Sequence, residues 1–252
     1  MPRWSWLALL LLVGGASLFG YLRWHSQAVV TASVPPGSHA VAATLDPDTS
    51  ERLLQVITEA RERLDVPGLQ VAVVRGGEVV WSGAVGWPDP PAKRAVTLAD
   101  RYHIGSVSKL YTAGVILKLA EEGSLSLDDP VSRFASHIPN GDEITVRRLL
   151  NHTSGLANYT ENMAFNLKTV LLRRRWNVDE VLDVIRQQEP IAAPGVRHYY
   201  SNSNYVVLGR IAEVAGGKPF ADLLNDELLR PLGLTNTFLA AGEERSRGTV
   251  RG

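Results

Sequence analysis

The stretch HIGSVSKLYTAG, residues 103–114, places Ser106 and Lys109 three positions apart at the head of an apolar segment. Residues at i and i+3 share a face of a helix, so the two side chains can meet. A helix start also leaves backbone N–H groups that favour developing negative charge. The residues that follow, LYTAGVILKLA, are apolar almost all round, which predicts a buried helix. Burial would favour the neutral amine of Lys109, which could then act as a base towards Ser106.

This spacing has two interpretations. The first is a nucleophilic serine with a lysine partner. The second is an ordinary helix start, because serine is frequent at that position and both residues are common. The motif on its own favours the second interpretation, so a decision needs further motifs.

The composition excludes several classes of function. The chain has 252 residues and no formal net charge, with 45% apolar and 21% charged residues. A neutral balance gives no reason to expect a nucleic-acid partner. The sequence contains no cysteine, so it has neither a disulfide framework nor a thiolate metal site. The six histidines show no metal-ligand spacing, and we expect no metal and no cofactor.

The N-terminus has the composition of a membrane segment. Residues 4–22, WSWLALLLLVGGASLFGYL, carry no charge and would span about 28 Å as a helix. A cleaved signal peptide would have a shorter apolar region with a small-residue cleavage site, so an uncleaved signal anchor over residues 1–24 is favoured. We therefore expect a domain anchored in the cytoplasmic membrane that faces the periplasm or cell exterior, or a secreted domain if the segment is cleaved.

The rest of the chain divides into a linker and one domain. Residues 25–45 are small, polar and interrupted by proline and glycine, which predicts a linker before a domain over residues 46–252. Apolar residues at helical spacing over 53–64 predict a helix, and Gly76-Gly77 joins two β-rich runs as a hairpin. Further helices are predicted at 106–122, 144–151, 178–188, 203–215 and 218–229.

Two more motifs contain residues capable of chemistry. In HYYSNSNYVVLG, residues 198–209, the Tyr200 hydroxyl could transfer protons and the Asn202 amide could hold an amide substrate. The alternative is an aromatic patch followed by a helix cap. In LLNHTSGL, residues 149–156, a histidine lies beside serines, but the G-x-S-x-G nucleophile elbow is absent. We interpret that motif as a structural turn.

The motifs together are more specific than any one of them. GSVSK, GSLSLDDPV, ITVRRLLNHTSGL, YSNSNYVVLGRIAE and PLGLTNTFL occur in one order, and the sequence resembles the serine β-lactamase and penicillin-binding-protein superfamily from residue 48 to about residue 240. It is most similar to the branch of class C β-lactamases, D-alanyl-D-alanine carboxypeptidases and related esterases.

The resemblance implies an α+β fold in which a helical domain packs against an antiparallel sheet, here preceded by an N-terminal transmembrane helix. It also implies that Ser106 is the acylated nucleophile, Lys109 its base partner, Tyr200 a second proton-transfer group and Asn202 the substrate-binding amide. The implied substrate is a small molecule or a peptidoglycan peptide, namely a D-alanyl peptide, a β-lactam, an ester or a D-amino-acid amide. The resemblance does not imply an oligomeric state.

One feature of the family is not found in the sequence. The resemblance implies a third motif, Lys/His-Thr/Ser-Gly, on a later strand, but no such motif follows Tyr200. We therefore expect a partial domain with an incomplete sheet. A catalytically silent homologue that acts as a binding or interaction module is the alternative to a hydrolase. The basic cluster LLRRRW, residues 171–176, is interpreted as a solvated helix end rather than a membrane or nucleic-acid patch.

Overall fold

The computed structural model describes residues 38–40, 45–87 and 95–239. The described residues fall into two compact units, one up to Asp100 and one from Arg101 onward. The first unit contains a small antiparallel sheet and one long helix, and the second is helical. The predicted anchor over residues 1–24 lies outside the described residues. Within the described ranges, no helix has the length and apolarity needed to cross a membrane.

The first unit contains one well-capped helix, α1 (Pro47–Leu64). The Asp46 side chain accepts a hydrogen bond from the Thr49 N–H at 2.8 Å, which satisfies a donor at the helix start. Asp65 ends the helix in the left-handed conformation, with φ of 49°. The predicted helix over 53–64 is therefore confirmed and starts six residues earlier, because its first turn is set by the cap and not by apolar spacing.

The predicted hairpin is confirmed as β2 (Gly68–Arg75) and β3 (Glu78–Gly86), paired antiparallel. Both glycines of its turn have positive φ, 62° at Gly76 and 85° at Gly77, a conformation that glycine adopts without steric cost. A third strand, β1 (Ser38–Ala40), pairs with the other edge of β3. This strand lies in the segment predicted as a linker, and its three residues carry no alternating pattern that could have identified it.

The second unit is built around one apolar cluster. Its helices are α2 (Ser108–Glu121), α3 (Val146–Leu150), α4 (Met163–Leu171), α5 (Val178–Arg186), α6 (Asn202–Gly216) and α7 (Phe220–Leu224), with a π-helical turn at Asn225–Leu229. Helix α6 contributes Val207, Leu208 and Ile211, all fully buried, to the centre of this cluster. The five helices predicted in this region are confirmed, whereas α4 was not predicted.

The start of the helix predicted at 106–122 differs from expectation. Residues Gly105–Val107 form a 3₁₀ turn, and the α-helix begins at Ser108. The Ser108 hydroxyl donates to the Gly105 carbonyl at 2.6 Å, and Gly105 itself has φ of 50°. The tight turn places Ser106 just before the α-helix, with its side chain exposed.

The turn predicted at residues 152–155 is confirmed, and it fixes a close approach of two backbone segments. Gly155 has φ of 78°, and a Cβ added there would overlap with the Ala192 carbonyl. The Gly155 carbonyl accepts from the Ile191 N–H at 2.9 Å, and the Gly195 N–H donates to the Thr153 carbonyl at 2.8 Å. Glycine is therefore required at position 155 by both conformation and space.

We expect Gly155→Ala to lower the free energy of unfolding by about 3 kcal/mol, because it adds steric overlap to an unfavourable φ. The matched control is Gly123→Ala, at φ of 77° with nothing within 4 Å of the added Cβ. That variant bears only the conformational cost of about 1 kcal/mol. Urea denaturation followed by circular dichroism measures both, and equal losses would contradict the steric account.

Candidate active site

The structure brings Ser106, Lys109 and Tyr200 together around one oxygen atom. The Tyr200 hydroxyl donates to Ser106 Oγ at 2.8 Å, and Lys109 Nζ donates to the same oxygen at 3.2 Å. Ser106 and Tyr200 are 94 positions apart in the sequence. A serine oxygen that lies within hydrogen-bond distance of two groups able to accept its proton has the geometry of an activated nucleophile.

Lys109 is held on the side away from Ser106 by Asn202. Lys109 Nζ donates to Asn202 Oδ1 at 2.7 Å, and it lies 4.9 Å from the ring centroid of Tyr200 and 5.6 Å from that of Tyr205. An ammonium group at these distances is attracted by the faces of the rings. The amide and the two rings therefore fix the position of Lys109 relative to Ser106.

The expected burial of Lys109 was wrong. Its side chain is half-buried, and the next residue, Leu110, is 73% exposed. The buried residues of α2 are Val115, Ile116 and Leu119, all in its second half. The apolar sequence predicted burial of the whole helix, but its fully buried residues lie only in its later turns, and Tyr111 in the first turn is partly buried against the cluster. In the structure, Lys109 is constrained by specific partners and not by an apolar surrounding.

The position of Lys109 changes the acidity of Tyr200. Hydrogen bonding with Lys109, then hydrogen bonding with Ser106, and last the charge of Lys109 lower the pKa of the Tyr200 phenol below its ordinary value. A positive charge nearby favours the phenolate over the neutral phenol. The phenolate form could accept a proton from Ser106, in which case the 2.8 Å hydrogen bond would run in the opposite direction.

Both the oxygen and the nitrogen of the Asn202 side-chain amide form hydrogen bonds within the protein. Its Nδ2 donates to Asn158 Oδ1 at 3.3 Å and to Thr160 Oγ1 at 3.2 Å, while its Oδ1 accepts from Lys109. An amide NH₂ has two donors, so both have partners within the protein. The structure therefore shows Asn202 as the residue that positions Lys109. A contact with a substrate amide would need one of these hydrogen bonds to exchange.

Asn158 is the residue of the site that the sequence did not reveal. It is 7% exposed, and its Oδ1 also accepts from the backbone N–H of Asn202 at 3.2 Å and from the Thr160 hydroxyl at 2.9 Å. Its Nδ2 donates to Glu161 at 3.1 Å. Asn158 lies 44 positions from Asn202, so no local pattern could have connected the two. It connects the segment after the 152–155 turn to the start of α6.

His152 supports the segment that carries Tyr200 and takes no part in the cluster around Ser106. Its Nδ1 accepts from the Ser201 N–H at 3.2 Å and lies 3.0 Å from Asn204 Nδ2. Its ring centroid lies 4.6 Å from that of Tyr200. Burial, followed by the charges of His198 and Lys109, lowers the pKa of His152. A neutral ring that accepts at Nδ1 fits these contacts and agrees with the interpretation of a structural turn.

Comparison with known proteins identifies the family of the chain. A family model described as Beta-lactamase matches residues 53–252. Protein flp of Staphylococcus aureus strain NCTC 8325 / PS 47 is 30% identical over 206 residues, 79% of this chain and 40% of that protein. The putative penicillin-binding protein PbpX of Bacillus subtilis strain 168 is 33% identical over 164 residues, 65% of this chain and 39% of that protein.

A solved structure supports the same assignment. The D-stereospecific amidohydrolase from Streptomyces sp. has 37% sequence identity and a TM-score of 0.62, over 71% of this chain and 54% of that chain. The chain belongs to the beta-lactamase family and has its α+β fold of helices and a small antiparallel sheet. It spans about 40% of the length of the two curated relatives named above.

The pKa of Tyr200 is directly measurable. The difference in tyrosinate absorbance between the wild-type protein and Y200F isolates the titration of this phenol, and we expect its midpoint below the ordinary value of 10.0. Lys109→Met should return the midpoint towards that value, because it removes the charge that favours the phenolate. Lys118→Met removes a lysine bound to Glu121 and should leave the midpoint unchanged. An unchanged midpoint in the Lys109 variant would contradict the assigned cause.

Proposed function

We propose that the protein is a serine hydrolase that works through an acyl-enzyme formed on Ser106. The observation that carries this proposal is the position of Ser106 Oγ, within hydrogen-bond distance of both Tyr200 and Lys109. An ordinary helix start needs neither partner. The membership of the chain in the beta-lactamase family supports the same choice, and favours a hydrolase over the silent binding module.

Proton transfer between Ser106 and Tyr200 organises the first half of the reaction. Ser106 Oγ attacks the substrate carbonyl carbon while its proton passes to the Tyr200 phenolate. The carbonyl oxygen becomes an oxyanion, for which the N–H of Ser106, in the turn before α2, is the proposed donor. When the intermediate collapses, the leaving group takes the proton from Tyr200, and the acyl group remains on Ser106 as an ester.

The second half repeats the transfer with water. A water molecule attacks the ester carbonyl and gives its proton to Tyr200. Ser106 then leaves and recovers a proton from Tyr200, which restores the starting state with the acid as product. Lys109 stays beside Ser106 and Tyr200 and favours the phenolate in both halves. Asn202 keeps Lys109 in place, and substrate binding by the Asn202 amide is a further part of the proposal.

The proposed substrate is an amide or ester whose acyl side is a D-amino acid or a related group. The support is the similarity to a D-stereospecific amidohydrolase and to a putative penicillin-binding protein. D-alanyl peptides, β-lactams, simple esters and D-amino-acid amides share the same acyl-transfer chemistry. Hydrolysis of D-alanine p-nitroanilide with its L-enantiomer as the control distinguishes a D-specific site from one without stereospecificity.

The proposed location follows from the first 24 residues. We propose that this segment anchors the protein in the cytoplasmic membrane, with the hydrolase on the outer side and a peptidoglycan peptide or small molecule as its partner there. The support is an uncharged apolar stretch over residues 4–22. The intact mass of protein isolated from membranes distinguishes an anchor from a cleaved signal peptide.

Incubation of the full chain with a fluorescent penicillin should give a covalent adduct that maps to Ser106 by mass spectrometry. Ser106→Ala should abolish the adduct, because the nucleophile is absent. The matched control is Ser132→Ala, at an exposed serine outside the site, which should label like the wild-type protein. Labelling that persists in the Ser106 variant would contradict the assignment, and no adduct on the folded wild-type protein would favour the silent binding module.

The rate of acylation should rise with pH through the lowered pKa of Tyr200, because the phenolate is the form that accepts the proton. Tyr200→Phe should slow acylation by about 10²–10⁴ and remove that rise. Stopped-flow measurement of acylation across pH tests both effects, and Tyr199→Phe serves as the neighbouring control because that hydroxyl bonds Glu161. A Tyr200 variant that keeps the wild-type pH profile would exclude the phenolate from the mechanism.

A further inference from the structure

Helix α4 exposes an apolar face to solvent. Its inner side packs through Phe165 and Thr169, which are half-buried. The opposite side presents Met163, Leu167, Val170 and Leu171, and Leu172 follows the helix; these large apolar side chains are 56–83% exposed and are here called the apolar stripe. A helix on a water-facing surface ordinarily turns its apolar face inward. A contiguous exposed set of this kind is typical of a docking surface.

The helix is fixed by its inner contacts, so the apolar stripe cannot turn inward without breaking them. The Phe165 ring centroid lies 5.1 Å from that of Tyr159 and 4.7 Å from that of Trp176. The Trp176 indole N–H donates to the Thr169 hydroxyl at 2.8 Å. The Asn162 side chain caps the helix by accepting from the Phe165 N–H at 2.9 Å. The inner face is therefore occupied, and the stripe is a feature of the folded unit.

Cations border the apolar stripe, and no acid interrupts it. Residues 162–178 contain four basic residues, Lys168 and Arg173 to Arg175, and no aspartate or glutamate. Arg174 pairs with Glu180 at 2.7 Å and lies 4.2 Å from the Trp176 ring centroid. Within residues 38–40, 45–87 and 95–239, no acidic side chain forms an ion pair with Lys168, Arg173 or Arg175.

We propose that α4, with Leu172 and the three arginines that follow, docks on an anionic lipid surface. The apolar stripe would enter the boundary between headgroups and acyl chains, and the cations would meet the lipid phosphates. Charge decides between this surface and a second copy of the chain, because two such patches would bring like charges together. The sequence alone favoured a solvated helix end here, because the outward direction of the apolar residues is visible only in the structure.

The docking helix adjoins the candidate active site through hydrogen bonds. Asn166 on α4 donates to the Thr160 carbonyl at 2.8 Å, and the Thr160 hydroxyl accepts from Asn202. Docking of α4 would therefore hold the Ser106 site close to the lipid surface. The proposal needs neither the acyl-enzyme nor a membrane-spanning anchor, since it concerns a surface and not the reaction.

The absence of cysteine allows a direct test. A single cysteine introduced by Val170→Cys, in the stripe, carries an environment-sensitive fluorophore on the full chain. Val214→Cys is the matched control, because Val214 is also an exposed helical valine, at 50% against 72% for Val170. Each labelled protein is mixed with nanodiscs of phosphatidylcholine, with or without phosphatidylglycerol, and a nitroxide lipid serves as the quencher. We expect quenching at position 170 that increases with phosphatidylglycerol, and little quenching at position 214.

Removal of positive charge from the patch tests the proposal quantitatively. Each cation near an anionic surface contributes about fivefold to binding, so Arg173→Gln with Arg175→Gln should lower the docked-to-undocked ratio by about 25-fold. Circular dichroism confirms that the variants fold. If the label at position 170 is quenched by the nitroxide lipid no more than the label at position 214, the proposal is overturned. A label that is shielded without lipid, through contact with another copy or another protein segment, would overturn it as well.

Discussion

The Lys109 ammonium is the group around which the described site is arranged. It donates to Ser106 and to Asn202, and it lies over the faces of Tyr200 and Tyr205. Each contact would be weak for a group free in water, but together they hold a flexible side chain in one place. The consequence is electrostatic, because a fixed positive charge beside Tyr200 makes its phenolate accessible, and the proposed chemistry of Ser106 depends on that phenolate.

The surrounding residues keep this arrangement rigid. His152 accepts from the backbone of Ser201 and stacks near Tyr200, while Asn158 accepts from the backbone of Asn202. These contacts join the turn at 152–155 and the segment after it to the start of α6. Helix α6 is in turn fixed by its buried residues in the centre of the apolar cluster. The site therefore rests on a packed helix, which suits a reaction that needs fixed distances.

Local signals in the sequence predicted most of the fold. The capped α1, the glycine turn of the hairpin and the periodic helices α2, α5 and α6 each carry their own pattern, and the structure has them. Strand β1 has too few residues for a pattern, and α4 turns apolar residues to both sides, which hides its period. The burial expected for Lys109 was wrong because apolar composition does not show which turns of a helix pack.

The candidate site was predictable only in part. Ser106 and Lys109 are one helical turn apart, so their contact could be inferred from spacing. Their meeting with Tyr200 and Asn202 spans more than ninety positions, and only the resemblance of the whole motif set implied it. Asn158 could not be found in either way, because its role depends on hydrogen bonds across the fold and its residue type is common in turns.

The hydrogen bonding of Asn158 constrains how this protein can change in evolution. One buried amide oxygen accepts from both the backbone and the side chain of Asn202, and from Thr160 as well. Asn158→Ala would leave these donors without that acceptor, and Asn202→Ala would leave Lys109 without its amide acceptor. Residues at positions 158, 160 and 202 therefore cannot be substituted independently of one another. Homologues that differ at one of them should carry compensating changes at the others, so the trio will vary as a unit.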